Sequence, residues 1–207
     1  MAGVAGPGEL FTLFFVTLGP VKIFGPFAAR TQHLDPTARR AVALRVFVVG
    51  LVVLLAGGWV GRTLATSWEI SHPALLIATG IIFFIVALNL VMEQYEPPHT
   101  VATVPLPAKP MAAALQLTFP LVVTPYGIAA MVAVLSASGD TGHLQTIFAI
   151  ATAIMVLNLV AMLSAQAVMR GTLAVGLRIL GAILGVLQVA LAVELVIRGL
   201  QELEIVR

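Results

Sequence analysis

The stretch TLGPVKIFGPFAA, residues 17–29, interrupts an apolar segment long enough to cross a membrane. It contains two glycine–proline pairs, Gly19-Pro20 and Gly25-Pro26, with Lys22 between them. Proline removes a backbone hydrogen-bond donor and clashes with the preceding helical turn, and glycine adds freedom where the helix is already weak. Broken backbone is tolerated inside a membrane only where it faces protein or a water-filled cavity. The stretch therefore predicts a helix broken near mid-depth, with a binding site beside the break.

A second break of the same kind lies in QLTFPLVVTPYGIAAM, residues 116–131, where Pro120 and Pro125 interrupt another apolar segment. Polar side chains accompany them: Gln116, Thr118, Thr124 and Tyr126. Hydrophobic segments interrupted by proline and glycine at corresponding places in two halves point to the binding site of a secondary transporter. The alternative is that each proline only kinks a packed helix.

The composition identifies the class of protein. Of the 207 residues, 60% are hydrophobic and only 10% are charged, against about 25% charged residues in soluble domains. The chain is therefore expected to lie in a lipid bilayer. Its scattered basic residues and net charge of +2 offer no surface for nucleic acid. Without cysteine there is no disulfide, thiol nucleophile or cysteine-ligated metal. The N-terminus lacks the positive region of a cleavable signal peptide, so we expect it to form the first span.

Six segments have the length and apolarity that a bilayer crossing needs. They cover about 9–30, 42–65, 73–92, 111–136, 144–169 and 173–197. We therefore predict an all-α polytopic membrane protein that forms one transmembrane domain over residues 1–207. A proline-rich linker, about 94–110, separates a first repeat, about 9–93, from a second, about 111–198. With three spans per half, the repeats are inverted, so the broken first and fourth helices run antiparallel and can meet near the midplane.

Positive charges near the span ends predict the orientation. One side collects Arg30, Arg39, Arg40, Arg45, Lys109, Arg170 and Arg178, and the other collects Arg62, Arg198 and Arg207. The first side is expected to be cytoplasmic, which places both termini outside, in the periplasm of a bacterial inner membrane. Glycine steps at Gly57/Gly61 and Gly181/Gly185 are typical of closely packed helices, within one chain or between copies in a homo-oligomer.

Lys22 is the one basic residue deep inside a span. An ammonium is costly in hydrocarbon, so it needs a cavity, a freed carbonyl or an acidic partner. It could bind a substrate carboxylate or change protonation during transport. Alternatively it snorkels to the interface or is neutralised by carbonyls that the break frees.

The predicted substrate-binding set comes from the two breaks, which we expect to line a common cavity. Its members are Gly19, Pro20, Lys22, Gly25, Pro26, Thr118, Pro120, Thr124, Pro125 and Tyr126. The free N–H groups at half-helix N-termini suit an anion, and freed carbonyls suit a cation, so a zwitterionic amino acid would satisfy both. Lys22, Glu93 and Glu194 are candidates for a proton relay, although the two glutamates lie at span ends. The amides Asn89, Gln116, Asn158 and Gln188 are expected to form interhelical hydrogen bonds.

Enzymatic chemistry is not expected. The four histidines, His33, His72, His99 and His143, fall in predicted loops and lack the spacing of a metal site or a catalytic triad. We therefore expect neither a catalytic residue, a resident metal nor a cofactor.

Five segments together resemble one family. They are GPVKIFGPF (19–27), LDPTARRAVALR (34–45), TGIIFFIVALNLVME (79–93), PLPAKP (105–110) and PLVVTPYGIAAM (120–131). Spread in order over the whole chain, they resemble the MarC (UPF0056) family of bacterial inner-membrane proteins, also called the neutral amino acid transporter family. Gly19 replaces the family's Asn or Asp before the first proline, and Thr124 and Tyr126 replace the glycines around Pro125. The chain is thus similar to a divergent branch.

The resemblance implies a six-span carrier of small neutral amino acids such as alanine or glycine. With the broken helices, it predicts a secondary transporter or exporter that works by alternating access, with H⁺ or Na⁺ as a coupling ion. The alternatives are a solute channel, which would need more polar residues along several spans, and a non-transporting scaffold or accessory protein.

Overall fold

The computed structural model describes residues 6–92, 110–138, 140–170 and 173–205, and within them the chain is helical. Within these ranges eight helices follow one another: α1 (Pro7–Leu18), α2 (Phe24–Arg30), α3 (Pro36–Ser67), α4 (His72–Met92), α5 (Pro110–Leu117), α6 (Pro125–Ala137), α7 (Thr141–Arg170) and α8 (Leu173–Glu202). A short 3-10 turn, Pro20–Lys22, joins α1 to α2, and a π-helical turn, Thr118–Val122, ends α5. Both predicted breaks are therefore present.

Five helical segments are long and apolar enough to cross a membrane, including α1 and α2 taken together as Pro7–Arg30. Met111–Val122 and Pro125–Ala137 are bent by 66° and count as a sixth crossing if the bent pair is one span. The all-α membrane architecture is confirmed. The count of six spans and the inverted repeat stay predictions, and residues 93–109, with most of the predicted linker, lie outside the described residues.

Local signals explain where the long helices begin. Asp35 has extended backbone, and its carboxylate accepts a hydrogen bond from the N–H of Ala38 (2.5 Å), which caps α3. Pro36 occupies the first turn, where its missing N–H costs nothing. The second span thus starts earlier than the residue 42 expected from hydropathy, because the cap extends the helix into the polar loop.

The helices enclose a main core that draws on α1, α2, α3, α5, α6 and α7. Phe14, Phe27 and Leu54 are fully buried in it. Glycines allow α3 to approach α6 closely: a Cβ on Gly58 would lie 2.5 Å from Met131 Cγ, and one on Gly61 would lie 2.3 Å from Val132 Cγ2. Of the predicted Gly57/Gly61 step, Gly61 thus makes a close helix contact within one chain, whereas a Cβ on Gly57 would lie 3.8 Å from Ile128 Cγ2, an ordinary contact distance.

The outer faces of α3, α4 and α8 carry large apolar side chains. Val52, Ile85, Ile183 and Val186 are each more than half exposed. Large exposed apolar surfaces are rare on soluble monomers, and here they suit contact with lipid tails. The polar groups of the breaks lie inside this apolar surface.

Candidate functional site

The end of α1 is the centre of the site. Because a helix leaves its last carbonyls without intrahelical partners, the break at Gly19 frees polar oxygens inside the membrane. Gln188 Nε2 of α8 donates to the carbonyl of Val16 (2.8 Å), and Asn158 Nδ2 of α7 donates to that of Leu18 (2.7 Å). The two amides thus form the interhelical hydrogen bonds expected from the sequence, and they hold α1 against two later helices.

Lys22 lies in the 3-10 turn and reaches back to the same helix end. Its Nζ donates to the carbonyl of Thr17 (2.5 Å) and to the hydroxyl of Tyr126 (3.2 Å), and it lies 5.1 Å from the centre of the Tyr126 ring. The freed carbonyl therefore compensates part of the cost of placing an ammonium at this depth. The third N–H of the ammonium has no partner among the described residues.

Thr124 joins the two breaks. It is the N-cap of α6, where its hydroxyl oxygen accepts from the N–H of Gly127 (3.1 Å). The same hydroxyl donates to the carbonyl of Thr17 (3.4 Å). It therefore links the electropositive start of α6 to the electronegative end of α1. A Cβ on Gly127 would lie 2.3 Å from Leu18 Cδ2, so glycine permits the close approach of the two half-helices.

Tyr126 has an apolar contact through its ring and a polar contact through its hydroxyl. Its ring stacks on Phe83 of α4, with ring centres 5.0 Å apart and an interplanar angle of 20°. Its hydroxyl faces Lys22. The side chain is almost completely buried, at 3% exposure, so it connects α6 to α4 and to the first break rather than lining an open space.

A cavity of about 300 Å³ adjoins the first break, and we call it the Lys22 cavity. One wall is formed by the end of α1 and the 3-10 turn, with Val16, Gly19 and Lys22. The facing wall is formed by α8, with Gly181, Gly185 and Gln188. The sequence predicted that the two breaks line a common cavity. In the structure, the wall facing the first break is formed by α8 and not by the second break. Thr118, Thr124 and Tyr126 are buried, since their polar groups bond to neighbouring backbone or to Lys22.

The remaining predicted site residues lie elsewhere. Pro26, Pro120 and Pro125 are exposed on the outside, and Pro20 and Gly25 are half-buried. The prolines therefore act through the backbone that they interrupt. Glu194 is exposed and pairs with Arg198 one helical turn later (3.0 Å), away from Lys22. Glu93, the third member of the predicted proton relay, lies outside the described residues.

The α8 wall of the site was not predicted. The spacing of Gly181 and Gly185 predicts a helix-packing step, yet a Cβ on Gly181 would meet nothing within 4 Å and both residues border the Lys22 cavity. Gln188 lies one to two turns further along the same helix. These two glycines and the amide are visible in the sequence. The neighbouring residues, however, do not indicate whether this face of α8 lies against a cavity or against another helix.

The arrangement offers a ligand one cationic donor, an amide and a small space between helices. An anionic group of a ligand could contact the third N–H of Lys22. The cavity volume of about 300 Å³ limits the size of that ligand. Among the described residues no group of three or more His, Cys, Asp or Glu side chains is placed to hold a metal ion. Fold and site together define an integral membrane protein with a small cavity at a broken helix, where Lys22 and Gln188 stand among mainly apolar side chains.

The chain belongs to the MarC family, because the model of MarC family integral membrane proteins matches residues 7–204. It is 25% identical over 192 residues to a UPF0056 membrane protein of Methanocaldococcus jannaschii, covering 92% of this chain and 94% of that relative. Two UPF0056 membrane proteins of Buchnera aphidicola match over 84 residues. The one from the subspecies Schizaphis graminum is 26% identical, covering 41% of this chain and 43% of the relative, and the one from Baizongia pistaciae is 21% identical, covering 41% and 42%. No solved structure matches the chain at a significant level.

Proposed function

We propose that the protein is a secondary transporter or exporter of small neutral amino acids, or of similar small polar metabolites, and that it works by alternating access. The observation that carries this proposal is the meeting of two broken spans at Lys22, next to the Lys22 cavity. Discontinuous helices with freed backbone groups at mid-depth are the usual site of substrate in secondary transporters.

The contacts support a cargo with a carboxylate. Two of the three N–H groups of Lys22 donate to Thr17 and Tyr126, and these bonds hold the ammonium at the cavity edge. The third N–H group is left as a donor for a ligand. A volume of about 300 Å³ lies at the lower limit of the roughly 300–1,000 Å³ typical of ligand sites, and this favours a small cargo. On this proposal the protein is a carrier and not an enzyme, and any coupling ion would be H⁺ or Na⁺.

The placement of charge supports a location in the plasma membrane with both termini outside. Arg30, Arg39 and Arg40 lie at one end of the bundle, whereas Arg62 and Arg198 lie at the other. By the positive-inside rule the first end faces the cytoplasm. A solute channel and a non-transporting scaffold are the alternatives. The packed apolar side chains beyond the Lys22 cavity favour a carrier over an open channel.

Flux into lipid vesicles tests the proposal. Purified wild-type protein, reconstituted at known density, is expected to move at least one of a panel of radiolabelled neutral amino acids. Lys22→Met keeps the length of the side chain and removes its charge, so we expect the flux to fall at least about tenfold, equivalent to 1.4 kcal/mol. Equal flux through Lys22→Met and wild type would remove Lys22 from the site.

Gln166→Met is the matched control. Gln166 of α7 also donates to a carbonyl of the first span, that of Ala28 (2.6 Å), but it does not border the Lys22 cavity. We expect this variant to keep flux within about twofold, because only a structural hydrogen bond of about 1 kcal/mol is lost. A comparable loss in both variants would indicate damage to the fold rather than to a site.

A further inference from the structure

Helices α4 and α8 form one closely packed unit, which we call the α4–α8 pair. They run antiparallel, and two glycines set their spacing: a Cβ on Gly80 would lie 2.7 Å from the carbonyl oxygen of Ala192, and one on Gly199 would lie 2.9 Å from that of Pro73. At the end of the pair His72 Nδ1 and Glu202 Oε2 lie 2.8 Å apart. The two helices are thus locked to each other along their length.

The pair packs less extensively against the other helices than within itself: its main outside neighbour is α6, and Gln188 of α8 bonds to the carbonyl of Val16 in α1. Among the described residues, the main core cluster contains no side chain of α4 or α8. A second, smaller cluster fills the boundary, and we call it the plug: Phe83, Ala87, Tyr126, Ala192 and Leu195. Of these five, only Tyr126 belongs to the other helices. The plug is also bordered by Leu13 and Val16 of α1.

A second cavity, of about 860 Å³, lies at the other end of this boundary, and we call it the Arg198 cavity. Arg198 and Glu202 of α8 and His72 of α4 line one side, and Ser136 of α6 and His143 of α7 line the other. Ser136 Oγ and His143 Nε2 are buried behind this lining, without a hydrogen-bond partner among the described residues. The cavity itself therefore offers charges of both signs, from Arg198 and Glu202.

The plug lies between the two cavities. Val16 borders both the plug and the Lys22 cavity. Leu13, Leu76 and Leu195 border both the plug and the Arg198 cavity. The boundary between the α4–α8 pair and the other helices thus runs from a cavity that contains Lys22 and Gln188, through an apolar layer, into a second cavity that contains Arg198 and Glu202.

From this order we infer that the two cavities are compartments of one path, and that the α4–α8 pair moves against the other helices to part the plug at Tyr126. The inference rests on the proposed function. A helix unit that is packed more extensively within itself than against its neighbours suits rigid-body motion. In this motion the hydrogen bond from Gln188 to Val16 and the stack of Tyr126 on Phe83 separate. The Arg198 cavity then receives the same cargo, since Arg198 and Glu202 can face the opposite charges of a zwitterion.

The chain contains no cysteine, so introduced thiols are unique targets. Phe83→Cys with Tyr126→Cys places one thiol on each side of the boundary, at two stacked rings 5.0 Å apart. Trp59→Cys with Phe148→Cys is the matched control: these rings lie 6.4 Å apart on α3 and α7, both outside the α4–α8 pair. Each pair is joined by a short bis-maleimide with a disulfide in its spacer, and flux is measured before joining, after joining and after reduction.

Joining positions 83 and 126 is expected to lower flux at least about tenfold relative to the same variant before joining, and reduction is expected to restore it. Joining positions 59 and 148 is expected to leave flux within about twofold. Unchanged flux with 83 and 126 joined would overturn the inference while the proposed function stands. If the unjoined 83/126 variant carries no flux, Leu13→Cys with Leu195→Cys crosses the same boundary and replaces it.

Thiol labelling tests whether the α4–α8 pair moves, and it does not require a transport measurement. Ala192→Cys lies in the plug at 0% exposure, whereas Gly181→Cys lies in the open wall of the Lys22 cavity. A membrane-impermeant maleimide should label position 181 quickly and position 192 slowly but completely. Absence of label at 192, with full labelling after unfolding, would show that the plug does not part. Absence of flux in the wild type for every amino acid would instead count against the proposed function alone.

Discussion

The two breaks begin from the same sequence signal and end in different structures. The first break, at Gly19 to Ile23, leaves α1 and α2 within one membrane-crossing segment, whereas the second bends its span by 66°. At the first break Lys22 and Gly19 border an open cavity. At the second break Thr118 and Thr124 are buried and bonded to backbone.

This difference indicates a division of labour. On the proposed function, the first break presents polar groups to a ligand. The second break supports the first, since Thr124 and Tyr126 both reach across to the end of α1 or to Lys22. Proline and glycine therefore mark where backbone is freed, but neighbouring side chains decide whether the freed groups are used for binding or for packing.

Glycine substitutions should show the largest effect. A Cβ on Gly19 would lie 1.8 Å from the carbonyl oxygen of Phe15, so Gly19→Ala forces the break to rearrange. We expect it to lower the free energy of unfolding in detergent by about 3 kcal/mol, at the upper part of the range for overpacked sites. Thermal unfolding followed by fluorescence measures this.

Gly8→Ala is the matched control for that prediction. A Cβ there meets nothing within 4 Å, and the residue lies inside α1, so alanine should be neutral or stabilise by up to about 1 kcal/mol. If both alanine variants unfold at the wild-type temperature, the first break does not require glycine at position 19. The close approach of Gly19 to the Phe15 carbonyl would then be wrong.

Removing an amide partner of α1 should have the next largest effect. Asn158 is completely buried, so Asn158→Leu leaves the carbonyl of Leu18 without a donor and should cost about 1–3 kcal/mol of unfolding free energy. Gln188→Leu should cost less, because the carbonyl of Val16 borders the Lys22 cavity, where water can replace the amide. Urea unfolding of the two purified variants gives the ranking, and the reverse order would contradict it.

The threonines of the second break test its supporting role. Thr124→Ala removes the cap of α6 and the contact with Thr17, and should lower the unfolding free energy by about 1 kcal/mol. Thr118→Ala removes only a hydroxyl bonded to the Ala114 carbonyl of the preceding turn, which should cost less. Paired thermal melts measure both, and equal losses would mean that Thr124 does not join the breaks.

Tyr126→Phe should have an effect of about the same size as Thr124→Ala. The ring keeps its stack on Phe83, and only the hydroxyl that accepts from Lys22 is lost. We expect the melting temperature to fall by an amount that corresponds to a loss of about 0.5–1.5 kcal/mol in the free energy of unfolding, the usual contribution of one hydrogen bond. A larger loss would show that the hydroxyl, and not the ring, holds the two breaks together.

Much of this fold could be predicted from the sequence because the signals are local. Hydropathy locates the crossings, Pro20 and Pro125 locate the breaks, and Asp35 before Pro36 locates the start of α3. Buried amides need partners in an apolar surrounding, and the interhelical bonds expected of Asn158 and Gln188 are present. Gln116 does not follow this expectation, since its Oε1 is buried without a partner among the described residues.

The composition of the cavity could not be predicted in the same way. Gly181 lies opposite Gly19 only because α8 packs beside the first break, and that placement depends on contacts far apart in the chain. The 66° bend likewise follows from how α5 and α6 pack on α3, and the residues of the break alone do not fix its size. Sequence patterns locate freed backbone, whereas tertiary packing decides what faces it.

Calorimetric titration of the purified protein with a panel of neutral amino acids tests the central claim most directly. The account predicts that at least one of them binds the wild type, and that Lys22→Met weakens its binding at least about tenfold while Gln166→Met leaves it nearly unchanged. Equal affinity of wild type and Lys22→Met would contradict a binding site at the first break.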